Sequence, residues 1–169
     1  MKSVSKTKKR CSWCEGDEIY IQYHDKEWGT PNYDDKVFFE FLVLESAQAG
    51  LSWITILKKR ENYRLAYDGF DPKKVARYDS KKRAALLKNT GIIRNRLKID
   101  ASINNAARFL EVQKEFGSFS DYIWAFTKGK QIKGKWKKLE EMPAKTELSD
   151  TISADLKNRG FKFLGGTII

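Results

Sequence analysis

Between Asp34 and Gly50, Phe38, Phe41, Leu42, Glu45 and Ala49 fall at offsets i, i+3, i+4, i+7 and i+11, the spacing of one face of an amphipathic helix. The turn-forming run Gly29-Thr30-Pro31-Asn32 precedes it, Asp34 or Asp35 is placed to cap it, and Gly50 to end it. A second helical pattern opens at Ser52, a candidate N-cap, and carries Trp53, Ile54, Leu57 and Tyr63 on roughly one face. Only Gly50 and Leu51 separate the two, so the helices should meet at a sharp angle with a small residue and a large apolar one at the exposed tip. An exposed Leu51 there has the form of a wedge. Further helices are expected at 72–76, 80–88, 99–116 and 149–157, with 119–126 apolar and aromatic. Strand signals are poor: 19–23 is the best short candidate and 161–163 a weaker one. The expected fold class is mainly α, one compact domain over 10–169 behind a disordered basic tail at 1–9.

Glu45 breaks the apolar stripe. An ionised side chain on a core-facing stripe is costly unless something pairs with it. Either it is a satisfied internal ion pair, or its helix lines a cavity where a carboxylate recognises a polar or cationic ligand. Trp13, Tyr20, Tyr23, Trp28 and Trp53, all close in sequence, favour the cavity.

Charge narrows the partner. The 169 residues carry a formal net charge of +11 and a sequence pI near 9.6, which points first to nucleic acid and second to an anionic membrane surface. Lys2, Lys6, Lys8, Lys9 and Arg10 have no apolar segment behind them, unlike a secretory signal or an anchor. A second cluster, Lys128, Lys130, Lys133, Lys135, Lys137 and Lys138 around two glycines and Trp136, suggests a mobile basic loop, although both runs also serve plain solubility. No stretch approaches the roughly 18 apolar residues of a membrane span. Two cysteines, Cys11 and Cys14, are too few and too close for a secreted disulfide framework, so a soluble, cytoplasmic protein is expected.

Two constellations could carry chemistry. Asn89-Thr90-Gly91-Ile92-Ile93-Arg94-Asn95-Arg96 is a glycine-containing turn between helical segments. It can present backbone N–H groups and the positive end of the next helix to a phosphate, with Arg94, Arg96 and Lys98 adding charge, as a helix-hairpin-helix clamp. A glycine helix cap beside a basic helix start is the plain structural alternative. Cys11, Cys14 and the single histidine, His24, could supply thiolate and imidazole to Zn²⁺, which takes four protein ligands in a structural site, but no fourth ligand is apparent. A buried thiol pair beside a hydrogen-bonded histidine is the alternative there.

The runs Tyr23-His24-Asp25-Lys26-Glu27-Trp28-Gly29, Glu45-Ser46-Ala47-Gln48-Ala49-Gly50-Leu51-Ser52-Trp53-Ile54-Thr55, Leu57-Lys58-Lys59-Arg60-Glu61-Asn62-Tyr63-Arg64 and Lys157-Asn158-Arg159-Gly160-Phe161-Lys162-Phe163-Leu164-Gly165 resemble the bacterial DNA-3-methyladenine glycosylase I family, in order, from about Arg10 to Ile169. The resemblance implies a helix-hairpin-helix glycosylase fold, flipping and hydrolytic excision of N3-methyladenine from alkylated double-stranded DNA without strand cleavage, a monomer, and a structural zinc. It makes Glu45 the acceptor for the flipped base, with Trp53, Tyr23 and Trp28 the aromatic pocket and Tyr20 at its edge. Gly50 and Leu51 become the duplex wedge, and Gly91 to Arg96, with Lys98, the phosphate-binding hairpin. Cys11 and His24 become two of four zinc ligands.

The chain departs from the family pattern at one place: the histidine and cysteine that complete the family's zinc site lie in a stretch beyond the position of Ile169, so zinc occupancy of these 169 residues is in doubt. Asp100, soon after the hairpin, is expected on a solvated helix face and not as a base. The competing expectation is a helix-hairpin-helix DNA-binding protein or truncated glycosylase that binds duplex without releasing a base; an RNA-binding module would instead prefer single strands.

Overall fold

The computed structural model describes residues 10–169, Lys137 excepted; the expected tail at 1–9 lies outside the described residues. The chain divides after Pro31 into two compact units. Every regular element among the described residues is helical.

In the N-terminal unit a short 3-10 turn, Ser12–Cys14, leads to helix α1, Glu18–Lys26. The strand expected at 19–23 is therefore helix. The Asp17 carboxylate accepts the Ile19 N–H at 3.1 Å as an N-cap, and Gln22 donates to Glu18 one turn back at 3.1 Å, so local capping outweighs the β-branched and aromatic content. Arg10 is clamped to Asp25 through its Nε and Nη2, at 2.9 to 3.2 Å.

The larger unit is built on α2, Asp35–Gln48, and α7, Arg96–Phe116. Asp34 caps α2 by accepting the Lys36 N–H at 2.8 Å, as its sequence suggests. The two helices run antiparallel: Gln113 in the last turn of α7 donates to Asp35 at the start of α2 (2.6 Å), and Lys98 in the first turn of α7 reaches the end of α2. Ile99, Ile103, Ala106, Phe109 and Val112 form the buried stripe of α7, and Phe39, Val43, Leu44 and Ala47 that of α2. The stripe read from the sequence, Phe38, Phe41, Leu42 and Glu45, is the adjacent, half-buried face of α2. The helix is apolar over most of its circumference, so spacing alone did not separate its core face from the next one.

The second helical pattern is two helices, α3, Trp53–Leu57, and α4, Arg60–Ala66, broken at Lys58-Lys59. Short α5, Pro72–Val75, and α6, Ser80–Lys88, lead to the hairpin before α7. Then come α8, Phe119–Ala125, and α9, Glu147–Asn158, whose Thr146 and Ser149 form a reciprocal capping box. The weak strand candidate at 161–163 finds no strand partner. Its backbone is satisfied by a side chain instead: the buried amide of Asn105 accepts the Lys162 N–H and donates to the Lys162 carbonyl, both at 2.8 Å.

Candidate active site

Glu45 sits in the last turn of α2, and no described neighbour donates to its carboxylate. Burial alone raises its pKa, from 4.5 to about 7, so it is not the satisfied ion pair that the sequence left open. That role belongs to Glu40, which the sequence reading passed over. Its buried carboxylate accepts from Arg60 Nε at 2.6 Å and Arg64 Nη2 at 2.9 Å, both on α4. Arg60 in turn lies over the Phe41 ring (5.4 Å), which stacks on buried Trp53 at 6.1 Å and 26°. Glu40, Arg60, Phe41 and Trp53 thus hold one another across α2, α3 and α4, and a pairing twenty residues apart leaves no mark on local spacing.

The tip between α2 and α3 is as expected. Gly50 takes φ +80°, a left-handed conformation that favours glycine, and Leu51 is 40% exposed. A leucine with that exposure at a sharp turn has the shape needed to enter a base stack.

The hairpin at 89–95 differs in detail from its sequence reading. The Gly91 N–H is committed to Asn89 Oδ1 (2.8 Å), the Ile92 N–H to the Asn89 carbonyl (3.4 Å), and the Ile93 N–H to the Tyr63 hydroxyl (3.1 Å). Lys59 Nζ donates to the Thr90 carbonyl at 3.2 Å. The break between α3 and α4 is what lets Lys59 and Tyr63 serve the hairpin. Glycine at 91 is favoured by close approach, since a Cβ there would meet the Asn62 and Asn89 side chains at 3.0 Å. Gly91 is therefore structural, and the amides left for an anion are those of exposed Arg94, Arg96 and Leu97 at the start of α7, which Asn95 caps through the Lys98 N–H (3.1 Å). An Asn just before a basic helix start was a readable cap signal that the expected start at 99 overlooked.

The arginine side chains divide similarly. Arg94 is exposed and makes no ion pair among the described residues, while Arg96, 83% exposed, lies 3.7 Å from Asp100. Asp100 also faces Arg83 at 3.8 Å, which places it on a charged surface as expected. Lys98 is the exception to the predicted phosphate contacts. Its ammonium turns to the protein and donates to the carbonyls of Ala47 (2.8 Å) and Ala49 (2.6 Å).

Tyr20, Tyr23 and Trp28 belong to the N-terminal unit and are gathered there around Trp13, which the sequence reading counted among the cavity aromatics without giving it a pocket role. Trp13 lies 4.8 Å from Tyr20, 6.5 Å from Tyr23 and 5.3 Å from both His24 and Trp28. The His24 ring stacks on Trp28 at 22°. Tyr20 is on the rim of this cluster, with burial raising its pKa.

The donor set does not make a closed zinc site by itself. His24 Nε2 already accepts the Cys11 N–H at 3.3 Å, and Nδ1 lies 3.0 Å from Asp25. The buried Cys14 thiol donates to the Cys11 carbonyl at 3.0 Å. No three His, Cys, Asp or Glu side chains among the described residues converge to hold a metal. The chemistry below therefore uses no metal.

A hairpin with free amides, an exposed leucine at a tight turn and an unpaired, half-buried carboxylate occur together in the larger unit. The family model for methyladenine glycosylases matches residues 13–169. The chain belongs to that family. The DNA-3-methyladenine glycosylase of Haemophilus influenzae is 48% identical over 158 residues, spanning 94% of this chain and 85% of that protein. DNA-3-methyladenine glycosylase 1 of Escherichia coli is 47% identical over 159 residues, with the same coverage. Among solved structures, one of 3-methyladenine DNA glycosylase I superposes with a TM-score of 0.91 at 47% identity, covering 95% of this chain and 88% of that one. The Staphylococcus aureus enzyme, described for its recognition of 3-methyladenine, superposes at 0.90 with 38% identity, covering 94% and 85%. These likenesses bear out the expected family and the helical glycosylase fold. No helix among the described residues of this methyladenine glycosylase family member is long and apolar enough to cross a membrane.

Proposed function

We propose that this DNA glycosylase acts as a monomer on alkylated duplex DNA, flips N3-methyladenine out of the stack and releases it by hydrolysis. The observation that carries this reading is Glu45, half-buried and without a partner of its own. A carboxylate kept in that condition costs stability, and a cationic base with an exocyclic amine is the ligand that relieves it. Methylation at N3 makes the adenine cationic and weakens its glycosidic bond, so charge at Glu45 discriminates the damaged base from neutral adenine. Electron-rich rings suit such a cation; the larger unit carries Trp53, and the N-terminal unit, taken by itself, carries the cluster of Trp13, Tyr20, Tyr23 and Trp28. Cation–π contacts of this kind contribute roughly 0.5–2 kcal/mol each.

The remaining steps use positioning. The amides of Arg94, Arg96 and Leu97, with the positive end of α7, hold a phosphate, and Leu51 fills the space that the flipped nucleotide leaves. Water completes the hydrolysis, and no lysine forms a Schiff base with the sugar. The test is release of free 3-methyladenine from methylated duplex DNA by the purified chain. Release without strand cleavage, and without a covalent adduct on borohydride reduction, is expected. Salt-dependent duplex binding with no base release would favour the non-catalytic alternative.

The hairpin makes its own prediction. Arg94→Ala and Arg96→Ala should weaken binding to damaged and undamaged duplexes alike, and each should lower the slope of log K against log salt by about 0.9. Titrations at several salt concentrations check this. Loss confined to methylated DNA would count against the assignment.

A further inference from the structure

Lys98 joins the two parts of the DNA-binding end. Its backbone N–H is held by the Asn95 side chain of the hairpin at 3.1 Å. Its ammonium donates to the Ala47 and Ala49 carbonyls, the latter immediately before Gly50-Leu51. The last carbonyls of a helix have no partner within it, and α2 ends without a basic residue in its own last turn. The cation that closes α2 is thus supplied from the helix that follows the hairpin. The group is half-buried, and loss of hydration lowers its pKa, as expected of an ammonium turned inward. Two of its three protons are committed, so it is poorly placed to bind a phosphate.

We propose that Lys98 is a positioning residue that fixes the register between the phosphate-holding hairpin and the Leu51 wedge, so that docking on the duplex backbone places the wedge for base extrusion. The inference rests on the proposed glycosylase reading. A phosphate contact and a register strut respond differently to the same substitution. Removing a phosphate contact lowers the salt slope and weakens all duplex binding. Removing a strut leaves the salt slope alone and uncouples binding from flipping.

The experiment compares wild type, Lys98→Met, Lys98→Arg and Leu51→Ala in single-turnover excision, salt-dependent duplex binding, and flipping monitored by 2-aminopurine fluorescence beside the lesion. Lys98→Met should bind undamaged duplex with the wild-type salt slope, flip and excise about tenfold more slowly, and resemble Leu51→Ala. It should still bind free 3-methyladenine as wild type does. Lys98→Arg, which keeps the donors and charge, should recover much of the flipping rate, a rescue that general destabilisation would not give. Should Lys98→Met fail to fold, Lys98→Arg and Lys98→Gln carry the test, with the arginine variant expected to flip faster than the glutamine. A salt slope reduced by about one with flipping unchanged overturns the proposal and returns Lys98 to the phosphate contacts. Equal flipping in all Lys98 variants also overturns it. Absence of excision by wild type would instead strike the glycosylase reading itself.

Discussion

Glu45→Gln should slow single-turnover excision of 3-methyladenine by about 10- to 100-fold and make the protein more stable at the same time. The first effect follows from removing a charged acceptor from a cationic base, worth about 1.5–3 kcal/mol. The second follows from Glu45 having no partner to lose. Its pKa is raised from 4.5 to about 7 by burial, so the stability it contributes is complete below about 4.5 and is lost as pH rises through 7. At pH 8 a neutral glutamine avoids that loss, and unfolding free energy should rise by about 2–3 kcal/mol. Excision by the wild type should fall about tenfold per unit below pH 7, as the carboxylate that attracts the cation is protonated. The glutamine variant should lack that limb. Urea unfolding at pH 8 and a pH–rate profile decide it; a glutamine variant less stable than wild type would show that Glu45 serves the fold.

Glu40→Gln, five residues earlier on the same helix, should have the opposite sign. Glu40 is 4% exposed and answers two guanidinium groups, so its neutralisation removes the buried carboxylate that Arg60 and Arg64 share. Breaking a buried pair from one side costs about 3–5 kcal/mol, whereas replacing the whole constellation by apolar side chains need not. The urea midpoint should drop at unchanged slope, a sign that the compactness of the two states is intact. A change below 1 kcal/mol would mean that the arginines find other partners, and that the Phe41–Trp53 stack does not depend on the pair.

The contrast between these glutamates shows where the sequence was legible. Asp34 before an apolar run, Ser80 to Lys88 with its flanking polar residues, and Gly50-Leu51 between two helices are local signals, and the structure follows them. Glu45 was found because it interrupts a periodic stripe, although that stripe proved to be the half-buried face of α2. Glu40 stayed hidden because Arg60 and Arg64 come from another helix, and nothing local announces such a pairing. The strand expectation at 19–23 failed because residue type was weighed above Asp17, whose cap decides the conformation. In the hairpin the fate of each N–H depends on the Tyr63 and Asn89 side chains, which occupy the Gly91 and Ile93 amides and leave those of Arg94, Arg96 and Leu97 as the open donors. The zinc expectation came from the resemblance; here the backbone N–H of Cys11 donates to His24 Nε2.

The antiparallel pair α2 and α7 is tied at both ends, by Lys98 on Ala47 and Ala49 and by Gln113 on Asp35. Local opening of a protein usually begins at segments with few ties to the core. The proposed DNA-reading apparatus lies at the ends of the two longest helices among the described residues, which are fastened across each other, so fraying there requires disrupting the packing of Phe39, Leu44, Ile99 and Phe109 as well. Lesion search by this protein should therefore proceed with a rigid probe, the duplex supplying the deformation.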